Sequence, residues 1–263
     1  MNFKLATLPV LGFLLVACTT TGGGAGEGAK PATLGQPATS EQQQRAKNHI
    51  ELGSLYYLEG RSAIALEEAR LALASDPDYA PAFNLLAMTH MLLNEPRLAE
   101  ENFQKAMRLA PGDPEISNNY GWFLCQNGRE QQSIAHFMAA AKNPLYTAPT
   151  KAYTNAGICA QKMKDDKAAE DYLLTALRLV PANTLALFSL AEMQYRQARY
   201  VAAKQWVADI ERMIEPNAEV LWLALRIERK LGNREAETRY ANQLRRRFPG
   251  SPEQRLLGQG QFE

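Results

Sequence analysis

Residues 80–113 read APAFNLLAMTHMLLNEPRLAEENFQKAMRLAPGD, and this stretch decides the fold. Phe83, Leu86, Ala87 and His90 recur at i, i+3, i+4 and i+7, and Ala99, Phe103 and Ala106 repeat the spacing further on. Each half therefore predicts a short helix with one packing stripe. Asn94, Glu95 and Pro96 interrupt the pattern between the halves, and Pro111 closes the second, because proline lacks the N–H that would continue a helix. The prediction is a helix-turn-helix hairpin.

That hairpin returns along the chain. Gly53, Ala87, Gly121, Gly157 and Ala191 are spaced by 34, 34, 36 and 34 residues, and Ala72, Ala106, Ala140 and Ala176 by 34, 34 and 36. Pro77, Pro111 and Pro181 hold the same frame, with Pro216 and Pro249 within a residue of it. A period of 34 with small residues at fixed offsets is the signature of the tetratricopeptide repeat. The expected fold is all-α, a right-handed superhelical solenoid of six such repeats. They span about 46–79, 80–113, 114–149, 150–183, 184–217 and 218–249, followed by a short helix that Ser251, Pro252 and Glu253 open. The junction at 143–149, NPLYTAP, carries two extra residues: a loop that either alters the superhelical pitch or is a harmless insertion. The last repeat is the most degenerate, as a terminal cap should be.

Residues 1–17 read as a signal peptide, with Lys4 as its positive end and an apolar stretch too short to span a bilayer. Leu15, Val16, Ala17 and Cys18 resemble the bacterial lipobox, which implies acylation of Cys18. Thr19 after that cysteine, by the sorting rule of such lipoproteins, implies the outer membrane. From 18 to 40 the chain is mostly Thr, Gly, Ala, Pro, Ser and Gln, with Leu34 as its one large aliphatic residue, so it predicts a flexible tether before a repeat domain at 41–263.

Charge and motifs exclude several function classes. Lys+Arg is 29 against Asp+Glu 28, and removing Lys4 with the leader balances them, which argues against a polyanion binder. His49, His90 and His136 fall in three different repeats with no ligand-spaced partners, so neither a metal nor a cofactor is expected. His90 reads as a satisfied interior histidine. No phosphate loop, nucleophile elbow or zinc-protease motif is present, and the chain is not expected to be an enzyme. Cys125 and Cys159 are an even pair in an oxidising compartment, on first helices that pack side by side; a disulfide is predicted, against two buried free thiols. Arg245, Arg246 and Arg247 either close the last repeat helix in solvent or form a membrane or partner patch.

In tetratricopeptide folds the first helix of each repeat lines the concave face through positions 2, 5, 9, 12 and 13. Carried onto this chain, the first three repeats offer a partner-binding groove of Ile50, Tyr57, Leu58, Met88, Met91, Leu92 and Trp122, with Lys47, Asn84, Asn118 and Gln126 between them. The last three offer a basic half, Lys151, Lys162, Arg196, Arg226, Arg229 and Lys230, interleaved with Phe188, Tyr195 and Trp222 and with Thr154, Ile158 and Glu192 between them. Two methionines in the apolar half suit an irregular protein partner.

Lipobox, tether and six repeats, together with NNYGWFLCQNGR at 118–129 and YTNAGICAQKM at 153–163, resemble the type IV pilus biogenesis lipoproteins of the PilF/PilW pilotin family. The resemblance implies an outer-membrane lipoprotein whose partner is the pilus secretin subunit, which it helps to localise, multimerise or remain stable. It implies neither nucleic acid nor small-molecule substrate. The competing reading is a periplasmic repeat scaffold for other envelope or cell-wall assembly proteins.

Overall fold

The computed structural model describes residues 40–262; the leader, Cys18 and the tether up to residue 39 lie outside the described residues. Thirteen helices and no strand occur among the described residues. Twelve of them pair into hairpins: α1 (Glu41–Leu58) with α2 (Ser62–Ser75), α3 (Ala80–Leu92) with α4 (Pro96–Leu109), and α5 (Pro114–Gln126) with α6 (Glu130–Lys142). Then come α7 (Pro149–Lys162) with α8 (Asp166–Leu179), α9 (Thr184–Arg196) with α10 (Tyr200–Met213), and α11 (Ala218–Lys230) with α12 (Arg234–Arg247). A final α13 (Pro252–Gln259) packs on both α11 and α12. The fold is a tetratricopeptide solenoid.

Local chemistry marks most of the helix starts. The side chains of Asp113, Asp165, Asn183, Asn217 and Asn233 each accept from the backbone N–H three residues on, occupying a donor that the helix itself leaves unpaired. Pro96, Pro114, Pro149 and Pro252 stand at first helical positions, where a missing N–H costs nothing. Within the six hairpins, one turn residue adopts a left-handed backbone: Gly60, Asn94, Gly128, Lys164, Ala198 and Gly232, at φ between 58° and 74°. These residues keep the repeat frame, although three are not glycine.

The two helices of a hairpin meet over small residues. A Cβ added at Gly157 would lie 2.5 Å from Leu173 Cγ, and one at Gly121 would lie 2.9 Å from the Phe137 ring. Facing them, Ala65, Ala69, Ala72, Ala99, Ala106, Ala140, Ala169 and Ala176 are fully buried, so the core is built from close backbone approach around large second-helix side chains such as Phe103, Phe137 or Leu173. The junction at 143–149 is filled by Tyr146, buried with Ala140 and Ala152, while Leu145 beside it is exposed. Asn143 ties the loop back by donating to the Gly112 carbonyl at 3.0 Å. The extra residues thus carry a plug, and α6 still packs on α7.

Successive first helices approach one another, α1 with α3, α3 with α5, and so on to α9 with α11, whereas successive second helices do not. The first helices therefore form the inner side of the array.

Candidate functional site

The inner face is graded by depth. At position 5 of the repeats stand Ile50, Asn84, Asn118, Thr154, Phe188 and Trp222, all buried except the half-buried Phe188. Position 9 holds Ser54, Met88, Trp122, Ile158, Glu192 and Arg226, each half-buried. Position 13 holds Leu58, Leu92, Gln126, Lys162, Arg196 and Lys230, each exposed. Position 5 is a floor and position 13 a rim.

This grading corrects one expectation. Ile50 is 1% exposed and packs with Ala46, Ala69, Ala72 and Leu85; it belongs to the core between the first two hairpins and is out of a partner's reach. Asn84 and Asn118 are buried likewise. The rest of the apolar half faces outward to different degrees. Leu58 is 78% and Leu92 53% exposed. Tyr57 packs against the first hairpin's core, Met88 and Met91 against the cluster of Phe103, Tyr120 and Phe123, and Trp122 against that of Cys125 and Phe137, so each of these four presents only one side. Burial pushes the Tyr57 hydroxyl pKa up, keeping it neutral.

Under the apolar half runs a chain of amides. Asn119 donates to Asn84 at 3.3 Å, Asn118 to Asn119 at 3.3 Å, and Asn155 to Asn118 at 3.1 Å, linking α3, α5 and α7. Lys151 donates to Asn119 at 3.3 Å and to Glu115 at 2.5 Å. Buried polar groups cost little only when partnered, and here each repeat supplies partners for the next. The same α5–α7 boundary carries the Cys125–Cys159 disulfide, with Cα atoms 5.9 Å apart. Lys162 adds a bond to Gln126 at 2.8 Å.

Along the array the character changes. From α7 onward the rim is Lys162, Arg196 and Lys230, and Arg226 on α11 lies 4.8 Å from the Tyr195 ring centroid and 5.7 Å from that of Trp222. Glu192 sits among them; burial raises its pKa, while Arg226 and Arg196 pull it down. Two parts of this surface escaped sequence reasoning: the Asn119 and Asn155 members of the amide chain, for which the Asn118–Asn119 doublet was the one available signal, and Phe262, which stacks on Trp222.

The histidines stand apart. His49 contacts Glu68 at 2.7 Å and His90 contacts Glu95 at 2.6 Å, while His136 lies edge-on to Tyr120. Among the described residues no three His, Cys, Asp or Glu side chains converge as a metal site. A cavity of about 340 Å³ lies away from the groove, walled by Lys204, Glu211, Glu228 and Arg239; Glu228 is held there by Lys204 at 2.8 Å.

Comparison with known proteins bears on this surface. The tetratricopeptide repeat profile matches residues 80–113 and 150–183. The type IV pilus assembly protein PilF of Pseudomonas aeruginosa is 28% identical over 254 residues, which is 96% of this chain and 97% of that protein. A solved structure from a functional characterisation of P. aeruginosa PilF superposes with a TM-score of 0.71, at 28% identity, over 84% of this chain and all of that one. The crystal structure of PilW, described as a widely conserved type IV pilus biogenesis factor, gives 0.75 at 31% identity, over 81% of this chain and 98% of that one.

Proposed function

Because this chain belongs with PilF and PilW among the tetratricopeptide-repeat proteins of type IV pilus biogenesis, we propose that it is an outer-membrane lipoprotein that binds the pilus secretin subunit through its inner face. On this reading residues 1–17 are removed, Cys18 carries the acyl chains, and 18–40 tether a periplasmic repeat domain. Several acyl chains on one residue give stable anchoring, at roughly 0.8 kcal/mol per buried methylene. The anchor confines the groove to one leaflet and raises its concentration near nascent secretin subunits. Binding alone helps these localise, multimerise or remain stable, and no chemical step is required.

The observation that carries the proposal is the row of Leu58 and Leu92 at the rim, exposed in front of Tyr57, Met88, Met91 and Trp122. A packed core does not require large apolar groups at exposed rim positions on the inner side, whereas an apolar strand or amphipathic helix of a partner does. The test is a photoreactive amino acid at Leu92, which is more open than Met91, followed by crosslinking in cells and identification of the captured protein. Capture of the secretin, with loss of SDS-resistant secretin multimers and of pili in a deletion strain, is the expected result. Intact secretin multimers with altered envelope morphology would instead favour a scaffold for other assembly proteins.

A further inference from the structure

Phe262 is remote from the groove in sequence and rests on it in the structure. After α13 the chain turns through Gly260 in a left-handed conformation, φ 68°, with Gly260 N–H donating to the Leu257 carbonyl and Gln261 N–H to that of Leu256. The turn delivers the Phe262 ring to α11. There it stacks on Trp222, with centroids 5.6 Å apart and planes 23° from parallel, and the Arg229 guanidinium lies 4.0 Å from its centroid.

Trp222 and Arg229 occupy positions 5 and 12 of the sixth repeat, part of the same inner face that Met91 and Trp122 line further back. An aromatic ring is thus already held by groove residues. We propose that the Trp222–Arg229 slot is a binding site for an aromatic side chain of a protein segment lying along the groove, and that Phe262 is its resident occupant, displaced when such a segment arrives.

A stacked indole and a planar guanidinium over the ring favour a planar ring over an aliphatic side chain, because both contacts draw on the π system. Arg196, Arg226 and Arg229 stand around the slot, but Glu192 faces Arg226 and Arg196 with Glu219 near it, and Glu237 pairs with Arg229 at 2.6 Å, so the carboxylates largely balance the guanidiniums and selectivity rests on the ring contacts themselves. Phe262 is only partly buried, and it lies two residues beyond the Gly260 turn, so its release needs rotation of a short segment and no repacking of a helix. The slot rests on ring geometry within this chain and stands or falls separately from the secretin reading.

The test uses the indole N–H signals of Trp122, Trp206 and Trp222 in ¹⁵N-labelled protein, with W222F identifying the third. In F262A the Trp222 signal should move, since the neighbouring ring current is lost, and the other two should stay. Adding the peptide acetyl-Glu-Phe-Glu-amide to F262A should return it toward its original position, and acetyl-Glu-Leu-Glu-amide should not. In the unaltered protein half-saturation should need more peptide, because a short tether holds Phe262 at an effective concentration in the millimolar range and the peptide must compete with it. An unmoved Trp222 signal in F262A, equal half-saturation in both proteins, equal effects of the two peptides, or no response in F262A would each overturn the proposal. So would a Trp222 position that changes with protein concentration, which would mean that tails exchange between copies. R229Q, at an exposed position, carries the test if F262A does not fold: it removes the same contact from the resident and the incoming ring, so it should shift the Trp222 signal partway and leave the half-saturating peptide concentration no lower than in the unaltered protein, and a lower one would overturn the proposal.

Discussion

Gly157 shows how much a single hydrogen in place of a methyl decides. Leu173 Cγ and Cδ2 would lie 2.5 and 2.7 Å from an added Cβ, so Gly157→Ala is expected to destabilise the protein by about 1–3 kcal/mol in chemical denaturation. At Ala87 and Ala191 the same frame position accepts a methyl. The spacing of small residues was therefore legible in the sequence, but which copies demand glycine was not, because that depends on what the second helix sets opposite. The turn residues behave in the opposite sense. Ala198 is held at φ 58°, a region that costs an L-residue roughly 1–2 kcal/mol, and Ala198→Gly should raise stability by about 1 kcal/mol. Nothing in the identity of Ala198 or Lys164 marks a left-handed turn; only the repeat frame, shared with Gly60 and Gly232, does. His136 adds a pH dependence. Burial first, and then the charge of Arg129, lowers its pKa below the ordinary value of 6.5. The unfolded chain therefore takes up this proton at higher pH than the folded one, and the contribution present above about pH 6.5 is lost as pH falls through and below it. Melting temperatures measured between pH 8 and 5.5 should fall less steeply in His136→Gln than in the unaltered protein.

Across a helix, depth separates residues that sequence places on one face. Ile50 and Leu58 both lie on the inner stripe of α1, yet one is 1% and the other 78% exposed. Ile50→Asp is expected to disrupt the first hairpin, since an unpaired carboxylate in that core costs more than about 4 kcal/mol. The double variant Leu58→Asp, Leu92→Asp should change stability by no more than about 0.5 kcal/mol per site while abolishing capture by a photoreactive residue placed at Met91 instead. The two outcomes, read by circular dichroism and by capture in cells, distinguish floor from rim. Helix periodicity identified the stripe, and Ser251, Pro252 and Glu253 announced where the last helix begins. Depth within the stripe was not legible, because it is set by the next repeat rather than by the helix itself. The same is true of Asn118, whose amide is completed by Asn119 and Asn155.

At the scale of the array, apolar rim residues stand on the first two hairpins and cationic ones on the last three, and this direction was legible from the repeat frame alone. The closing of the far end by Phe262 was not, since a lone phenylalanine beyond a short helix carries no period. The middle of the array is held by the bond between Cys125 and Cys159, which encloses a sequence separation of 34 residues. Loop-closure entropy for that span gives about 3–4 kcal/mol of stabilisation, so reduction should lower the denaturation midpoint by a corresponding amount without changing helix content at neutral pH.

The same bond alters how the chain answers to force. A load applied between the two ends of the repeat domain must pass through Cys125 and Cys159, and the residues between them are then excluded from extension. Stretched singly, the oxidised protein should fall short of the reduced one by roughly 110 Å of contour length, at about 3.3–3.6 Å per extended residue. Helix α6 and most of α7 would stay slack while the hairpins on either side unravel, so a pull along the chain leaves this central segment unextended for as long as the bond is intact.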